Sequence, residues 1–152
     1  MITIIIDDLS SPEIKQLLKE HLASMHQHCP KDSIHAFDIE TLRQPDITFW
    51  SAWDGKQLCG CAALKKHNEQ HAELKSMRTA SNHLRRGIAR QLLKEILDYA
   101  KQQGYSQISL ETGSQAIFHP ARKLYTSVGF KPCAPFAAYK EDPNSIFMTK
   151  YL

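Results

Sequence analysis

The sequence predicts an α/β (α+β) domain: one mixed sheet with helices on its faces. Two observations predict it. Apolar, β-branched runs and helix-period stretches follow one another in the order β-α-α-β-β-β-α-β-α-β-β. Turn and cap residues punctuate nearly every junction between them. A length of 152 residues suits one domain spanning 1–152. With 42% hydrophobic and 23% charged residues, the composition is that of a globular protein with a real core.

Residues 2–6 are a short apolar, β-branched run and read as the first strand. Ser10, Ser11 and Pro12 signal a helix start, with Glu13 in its first turn. Ile14, Leu17, Leu18, Leu22 and Met25 follow at helical spacing, and Pro30 stops the run. Residues 38–43 read as a second, short helix. Residues 47–53 are β-rich, and Asp54-Gly55 is a hairpin signal leading to a returning strand at 58–64. His67 to Gln70 make a polar turn before a third strand at 72–79.

Residues 87–103 form the clearest helix, with Ile88, Leu92, Leu93, Ile96, Leu97 and Ala100 on one face and Gly104 just past its end. A strand at 105–111 follows. A helix at 118–128 carries Pro120 near its first turn and is closed by Gly129. Residues 130–138 and 145–151 supply the last extended segments.

A net charge of +3 is too weak for a nucleic-acid surface, which needs a clustered basic face. No apolar run approaches a membrane span, and the N-terminal residues lack a basic flank, so neither a membrane nor an export signal is expected and the cytoplasm is the expected location. Cys29, Cys59, Cys61 and Cys133 form no C-x-x-C pair and no zinc spacing, and reduced structural thiols are expected. Cys59 and Cys61, two apart in an apolar run, are expected on one face of a strand. His26, His28 and Cys29 lie close together without a second ligand pair, so no metal site is expected.

Leu84-Arg85-Arg86-Gly87-Ile88-Ala89 follows a strand and opens the best helix. Glycine and alanine keep side chains clear, so backbone amides at the helix N-terminus can approach a phosphate, and the helix dipole favours its charge. Arg85, Arg86 and Arg90 add positive charge, and a pyrophosphate suits the segment best. Neither G-x-G-x-x-G nor a Walker A loop is present.

The segment resembles the acetyl-CoA signature of GNAT acetyltransferases, [Gln/Arg]-x-x-Gly-x-[Gly/Ala], with Leu84 where Gln or Arg is usual. Two further segments carry the resemblance in the family's order: the strand Glu73-Leu74-Lys75-Ser76-Met77-Arg78-Thr79 before the loop, and Leu124-Tyr125 with Gly129-Phe130 after it. Lys-Ser-Met-Arg-Thr (75–79), Leu-Glu-Thr-Gly (110–113) and Asp-Pro-Asn-Ser (142–145) are similar to a bacterial branch, some of whose members are labelled indole-acetic-acid acetyltransferases. A carboxylic acid, however, offers no amine to attack a thioester. The resemblance implies a mixed, mostly antiparallel sheet with helices on both faces and a splay between two parallel strands. It implies acetyl-CoA as donor, a small-molecule acceptor amine, direct attack, no metal, and room for a homodimer.

The chemistry sets the roles. A free alkylamine has a pKa of ~10 and must lose a proton, the thioester oxygen needs a donor, and the leaving thiolate benefits from an acid. Glu73, fourteen residues before Gly87, is the leading base and Glu111 the second candidate. The resemblance assigns the Met77 amide to the oxyanion, Met77 and Thr79 backbone to the pantetheine arm, and residues Leu84, Arg85, Arg86, Gly87, Ile88, Ala89 and Arg90 to the pyrophosphate. Tyr125 is the expected general acid and also a cofactor contact. His26, His28 and His35 are expected in the helical hairpin beside the acceptor, with Phe136, Tyr139 and Asn144 as the opposite wall. The rival readings are another acyl donor or a hydroxyl acceptor on the same fold, and a non-catalytic acyl-CoA-binding module.

Overall fold

Strands β1 (Ile2–Ile6), β2 (Ile47–Asp54), β3 (Gln57–Lys66), β4 (His71–Thr79), β5 (Gln107–Gly113), β6 (Lys131–Cys133) and β7 (Ser145–Tyr151) form one sheet in the computed structural model, which describes residues 1–34 and 38–152. The order is β1-β2-β3-β4-β5-β7-β6. All pairings are antiparallel except β4–β5. Parallel neighbours need a long crossover, and the helix α3 (Ile88–Gln102) supplies it. The other helices are α1 (Pro12–His28), α2 (Ile39–Leu42) and α4 (His119–Ser127).

Local chemistry sets their ends. The Ser11 hydroxyl accepts from the Ile14 N–H at 3.2 Å, and Pro12 starts α1 where its missing N–H costs nothing. The Asp38 carboxylate caps α2 through the Thr41 N–H at 2.9 Å. Gly104, at φ 89°, takes the left-handed position beyond α3.

Each face of the sheet has its own core. On one, Ile88, Leu92, Leu93, Ile96 and Ala100 of α3 pack with Trp50, Leu64, Leu74, Ile108, Leu110, Tyr125 and Phe130. On the other, Ile14, Leu17 and Leu18 of α1 pack with Leu42, Phe49, Cys61 and Ala63. Leu22, expected on the apolar stripe of α1, is 37% exposed. On the α1 side, Ser33 Oγ donates to Asp142 Oδ2 at 2.5 Å and ties the segment after α1 to the one before β7.

Two irregularities redirect side chains. Ala52 pairs with Gly60 and Trp53 with Leu58, so Cys59 is an extra residue in β3. Side-chain direction alternates along a strand, so one extra residue reverses it. Cys59 therefore packs in the α3 core and Cys61 in the α1 core, not on one face as expected. In β4, Lys75 pairs with Ala63 and Arg78 with Cys61, which leaves an extra residue at Ser76, whose φ is 54°. Several boundaries also differ from expectation, among them β6, which is only Lys131–Cys133 within the expected 130–138, and β5, which starts at Gln107. The hairpin turn is Gly55-Lys56, closed by the Asp54–Gln57 pair. The strand β5 continues through Thr112 and Gly113 because β7 pairs with it there.

Leu92 is fully buried between α3 and the sheet. Leu92→Ala should destabilise the fold by about 2–5 kcal/mol, the usual cost of a buried leucine cavity. Urea unfolding followed by circular dichroism would show this as a lower midpoint at unchanged slope.

Candidate active site

The parallel pairing of β4 with β5 runs from His71–Gln107 to Leu74–Leu110 and ends there. Beyond it β4 stays with β3 and β5 with β7, so the sheet splits. The split holds an inner cavity of about 110 Å3 reached by groups from both faces. His21 and Met25 line it from the α1 side, and Phe118, Ala121 and Tyr125 from the α4 side. Strand alternation puts Leu74 and Leu110 in the α3 core and turns Glu73, Lys75, Ser109 and Glu111 to the α1 side. The extra residue at Ser76 then returns Met77 to the Tyr125 side, where Tyr125 Oη lies 3.7 Å from Met77 Sδ. Met77 and Thr79, the expected backbone donors, thus sit on the stretch of β4 that has left β5.

Glu73 is 2% exposed and Lys75 9%. Tyr139 Oη donates to Glu73 Oε2 at 2.6 Å, and Lys75 Nζ donates to the same oxygen at 3.3 Å and to Tyr139 Oη at 2.8 Å. The other oxygen, Oε1, is 2.9 Å from His67 Nε2. A buried carboxylate is tolerable only with such partners. Burial pulls the Lys75 ammonium below the ordinary lysine range, against the attraction of Glu73. Burial, then the Glu73 charge, pushes the Tyr139 phenol up.

Glu111 occupies the first β5 position past the parallel pairing and lines the inner cavity. Burial pushes its carboxyl up to about 6, with Ser145 and Lys75 pulling the other way and Glu73 adding to the rise. Because β7 pairs at Phe147, Glu111 stands on a strand and not at the edge of a loop as expected. Tyr125 is 7% exposed, and burial raises its phenol to about 12, so it stays protonated.

The loop before α3 is exposed at Leu84, Arg85, Arg86 and Gly87. Arg85 (φ 63°) and Gly87 (φ 78°) take left-handed conformations, and no side chain caps α3. A Cβ on Gly87 would meet nothing, so the approach to these amides is open. Ile88 is buried, which anchors the loop, Ala89 is half-buried, and Arg90 Nη2 donates to Ser127 Oγ at 3.1 Å. An uncapped helix start with two exposed arginines fits a pyrophosphate.

Of the expected acceptor-side residues, Tyr139 lines the inner cavity. Phe136 supports it, with ring centroids 5.1 Å apart, and packs 6.3 Å from His67. Asn144 donates its backbone N–H to Asp142 Oδ1 at 2.8 Å and accepts from Gln115 Nε2 at 3.1 Å, holding the loop instead of facing the cavity. His26 is exposed and His28 half-buried, neither lining the cavity, and His35 lies outside the described residues. The histidine that does line it, His21, follows Ile14, Leu17 and Leu18 on the buried stripe of α1. Its signal in the sequence is a polar residue at an apolar helical position. Burial, helped by Arg78, lowers the His21 imidazole to about 4, so it is neutral at pH 7. Among the described residues, no group of three or more His, Cys, Asp or Glu is placed to hold a metal ion, and no helix is long and apolar enough to cross a membrane.

This arrangement matches known proteins. The model of the acetyltransferase (GNAT) family matches residues 11–130. The chain is 56% identical over 147 residues to the protein named uncharacterized N-acetyltransferase YsnE of Bacillus subtilis (strain 168), covering 97% of both. It is 48% identical over 149 residues to uncharacterized N-acetyltransferase YedL of Escherichia coli (strain K12), covering 98% of this chain and 94% of the other. A GNAT acetyltransferase from Elizabethkingia anophelis, solved with acetyl-CoA bound, superposes at a TM-score of 0.69 with 20% identity, covering 99% and 98% of the two chains. A split sheet, an open glycine loop at a helix start and these relatives agree, and the protein belongs to the GNAT acetyltransferase family.

Proposed function

We infer that the protein transfers an acetyl group from acetyl-CoA to the amine of a small acceptor by direct attack. The observation that carries this reading is the placement of Glu111: a half-buried carboxyl at the split, lining one cavity with Met77 and Tyr125, which its surroundings push up to about 6. A group titrating there is ionised at neutral pH and still basic enough to take a proton from an ammonium. Acetyl-CoA, bound by the fold neighbour from Elizabethkingia anophelis, supplies an activated carbonyl and a thiolate leaving group.

In this reading the amides opening α3, with Arg85 and Arg86, hold the pyrophosphate. Met77 and Thr79 offer backbone groups on the diverging part of β4, and the Met77 N–H faces the charge that develops on the carbonyl oxygen. The acceptor enters from the α1 side, where both carboxylates point. Glu111 takes its proton, with Glu73 lining the same cavity. Glu73 was the leading base from sequence. Its oxygens already face Tyr139, Lys75 and His67, which favours Glu111 as the first receiver. The Tyr125 hydroxyl donates to the departing sulfur from the opposite side.

Three outcomes are expected. Gly87→Val forces a β-branched residue to φ 78° and should weaken acetyl-CoA binding about tenfold or more in calorimetric titration, while the chain stays folded. Glu111 must be ionised to act, so kcat/KM should fall as pH drops through about 6. Glu111→Gln should remove that limb and lower the neutral rate roughly 10²–10⁴-fold. An unchanged limb in this variant, together with its loss in Glu73→Gln, would move the base to β4. Tyr125→Phe should lower kcat by ~10²-fold with acetyl-CoA affinity nearly unchanged, and wild-type turnover would show an idle hydroxyl.

A further inference from the structure

Acetylation of an ammonium group releases a net proton. The acceptor gives up two N–H protons as its C–N bond forms: one ends on the CoA sulfur as the C–S bond breaks, and the other must leave the protein. With acetyl-CoA reaching the split from the α4 side and the acceptor from the α1 side, the two bound substrates would cover the faces from which residues reach the inner cavity.

The structure holds a second, outer cavity of about 480 Å3, lined among others by Asp32, Lys65, His67 and Asp142. Glu73, Lys75 and Tyr139 line both cavities and form the partition between them. Glu111 lines only the inner one and His67 only the outer. The contact between Glu73 Oε1 and His67 Nε2, at 2.9 Å, therefore runs from the partition into the outer cavity. The Glu73 side chain is 3% exposed and that of His67 18%. The ring of His67 is steadied by Phe136 and by His71, 5.7 Å away centroid to centroid. His71 in turn is bound to Ser109 Oγ at 2.7 Å.

Resting on the acetyl-transfer reading, we propose that His67 is the proton outlet of the active site, acting through Glu73. The proton that Glu111 takes from the acceptor crosses the inner cavity, which both carboxylates line, to Glu73. The Glu73 carboxyl O–H bond breaks as the lone pair of His67 Nε2 takes that proton, the imidazolium gives its Nδ1 proton to water in the outer cavity, and exchange with that water returns the ring to the Nδ1–H tautomer. Both carboxylates are then ionised for the next turnover. Imidazole suits this exchange because it has two ring nitrogens, one able to take a proton as the other gives one up. The charged and titratable groups around the pair are Lys75, Tyr139 and Glu111 at the inner cavity, Asp32, Lys65, Lys140, Glu141 and Asp142 at the outer one, and His71 beside the His67 ring. His67 touches no reacting atom and is a positioning and relay residue.

The test is His67→Gln, whose amide keeps a hydrogen-bonding group beside Glu73 but carries no proton through. CoA thiol release would be followed with acetyl-CoA and pooled amines and amino acids in dilute buffer. The variant should lose about tenfold or more in kcat, keep kcat/KM for acetyl-CoA, and recover when imidazole is added. A structural role would leave the loss unrescued by imidazole, and that result overturns the proposal, as does a variant with wild-type kcat in dilute buffer. A wild type that releases no CoA with any acceptor removes the acetyl-transfer reading and the outlet with it. Turnover in the wild type with an unaffected variant removes the outlet alone.

Discussion

Everything at this site depends on the place where β4 and β5 stop pairing. Two parallel strands share only the stretch from His71–Gln107 to Leu74–Leu110, and each then follows its other neighbour. A continuous sheet would be a wall. The split makes it a passage, and a passage is what a reaction between two substrates arriving from opposite sides needs. The glycine loop lies at this same end of the sheet because the crossover to β5 leaves β4 there and turns into α3. Loop and split are thus consequences of one connection.

The electrostatics follow from the same geometry. Glu73 and Glu111 lie on neighbouring strands and face one way, and burial pushes the Glu111 carboxyl up. The protein surrounds the two unequally. Glu73 receives a phenol, an ammonium and an imidazole, while Glu111 is left with a carboxyl near neutrality. Two carboxylates in one cavity thereby face different partners, and one of these, Tyr139, comes from a segment 66 residues away.

That division explains how far the sequence could be read. The strands, the Ser11 cap, the α3 stripe and the glycine loop are local, because each is written within a single period or turn. The line of Glu73, Met77, Tyr125 and Glu111 around one cavity follows from the strand order and the family resemblance. What escaped are features created by pairing. The extra residues at Cys59 and Ser76 exist only relative to the neighbouring strand, so the faces of Cys59 and Cys61 could not be told from spacing. Tyr139 and His67 reach Glu73 from segments 66 and 6 residues away, and no local pattern announces that meeting. His21 was visible as a polar break in an apolar stripe, but its use depended on knowing that the stripe ends over the split.

The extra residue at Ser76 bears on how such a chain can change over generations. In most strands, losing one residue shortens an edge or slips a register. Here it would exchange the two faces of the strand beside the split: the side chain of Met77 would swing toward α1, and every later position in β4 would follow. Replacements by point substitution keep that sidedness, whereas a single-codon deletion erases it. Descendants of this chain are therefore free to vary the walls of the site, residue by residue, but not the count of residues that leads up to it.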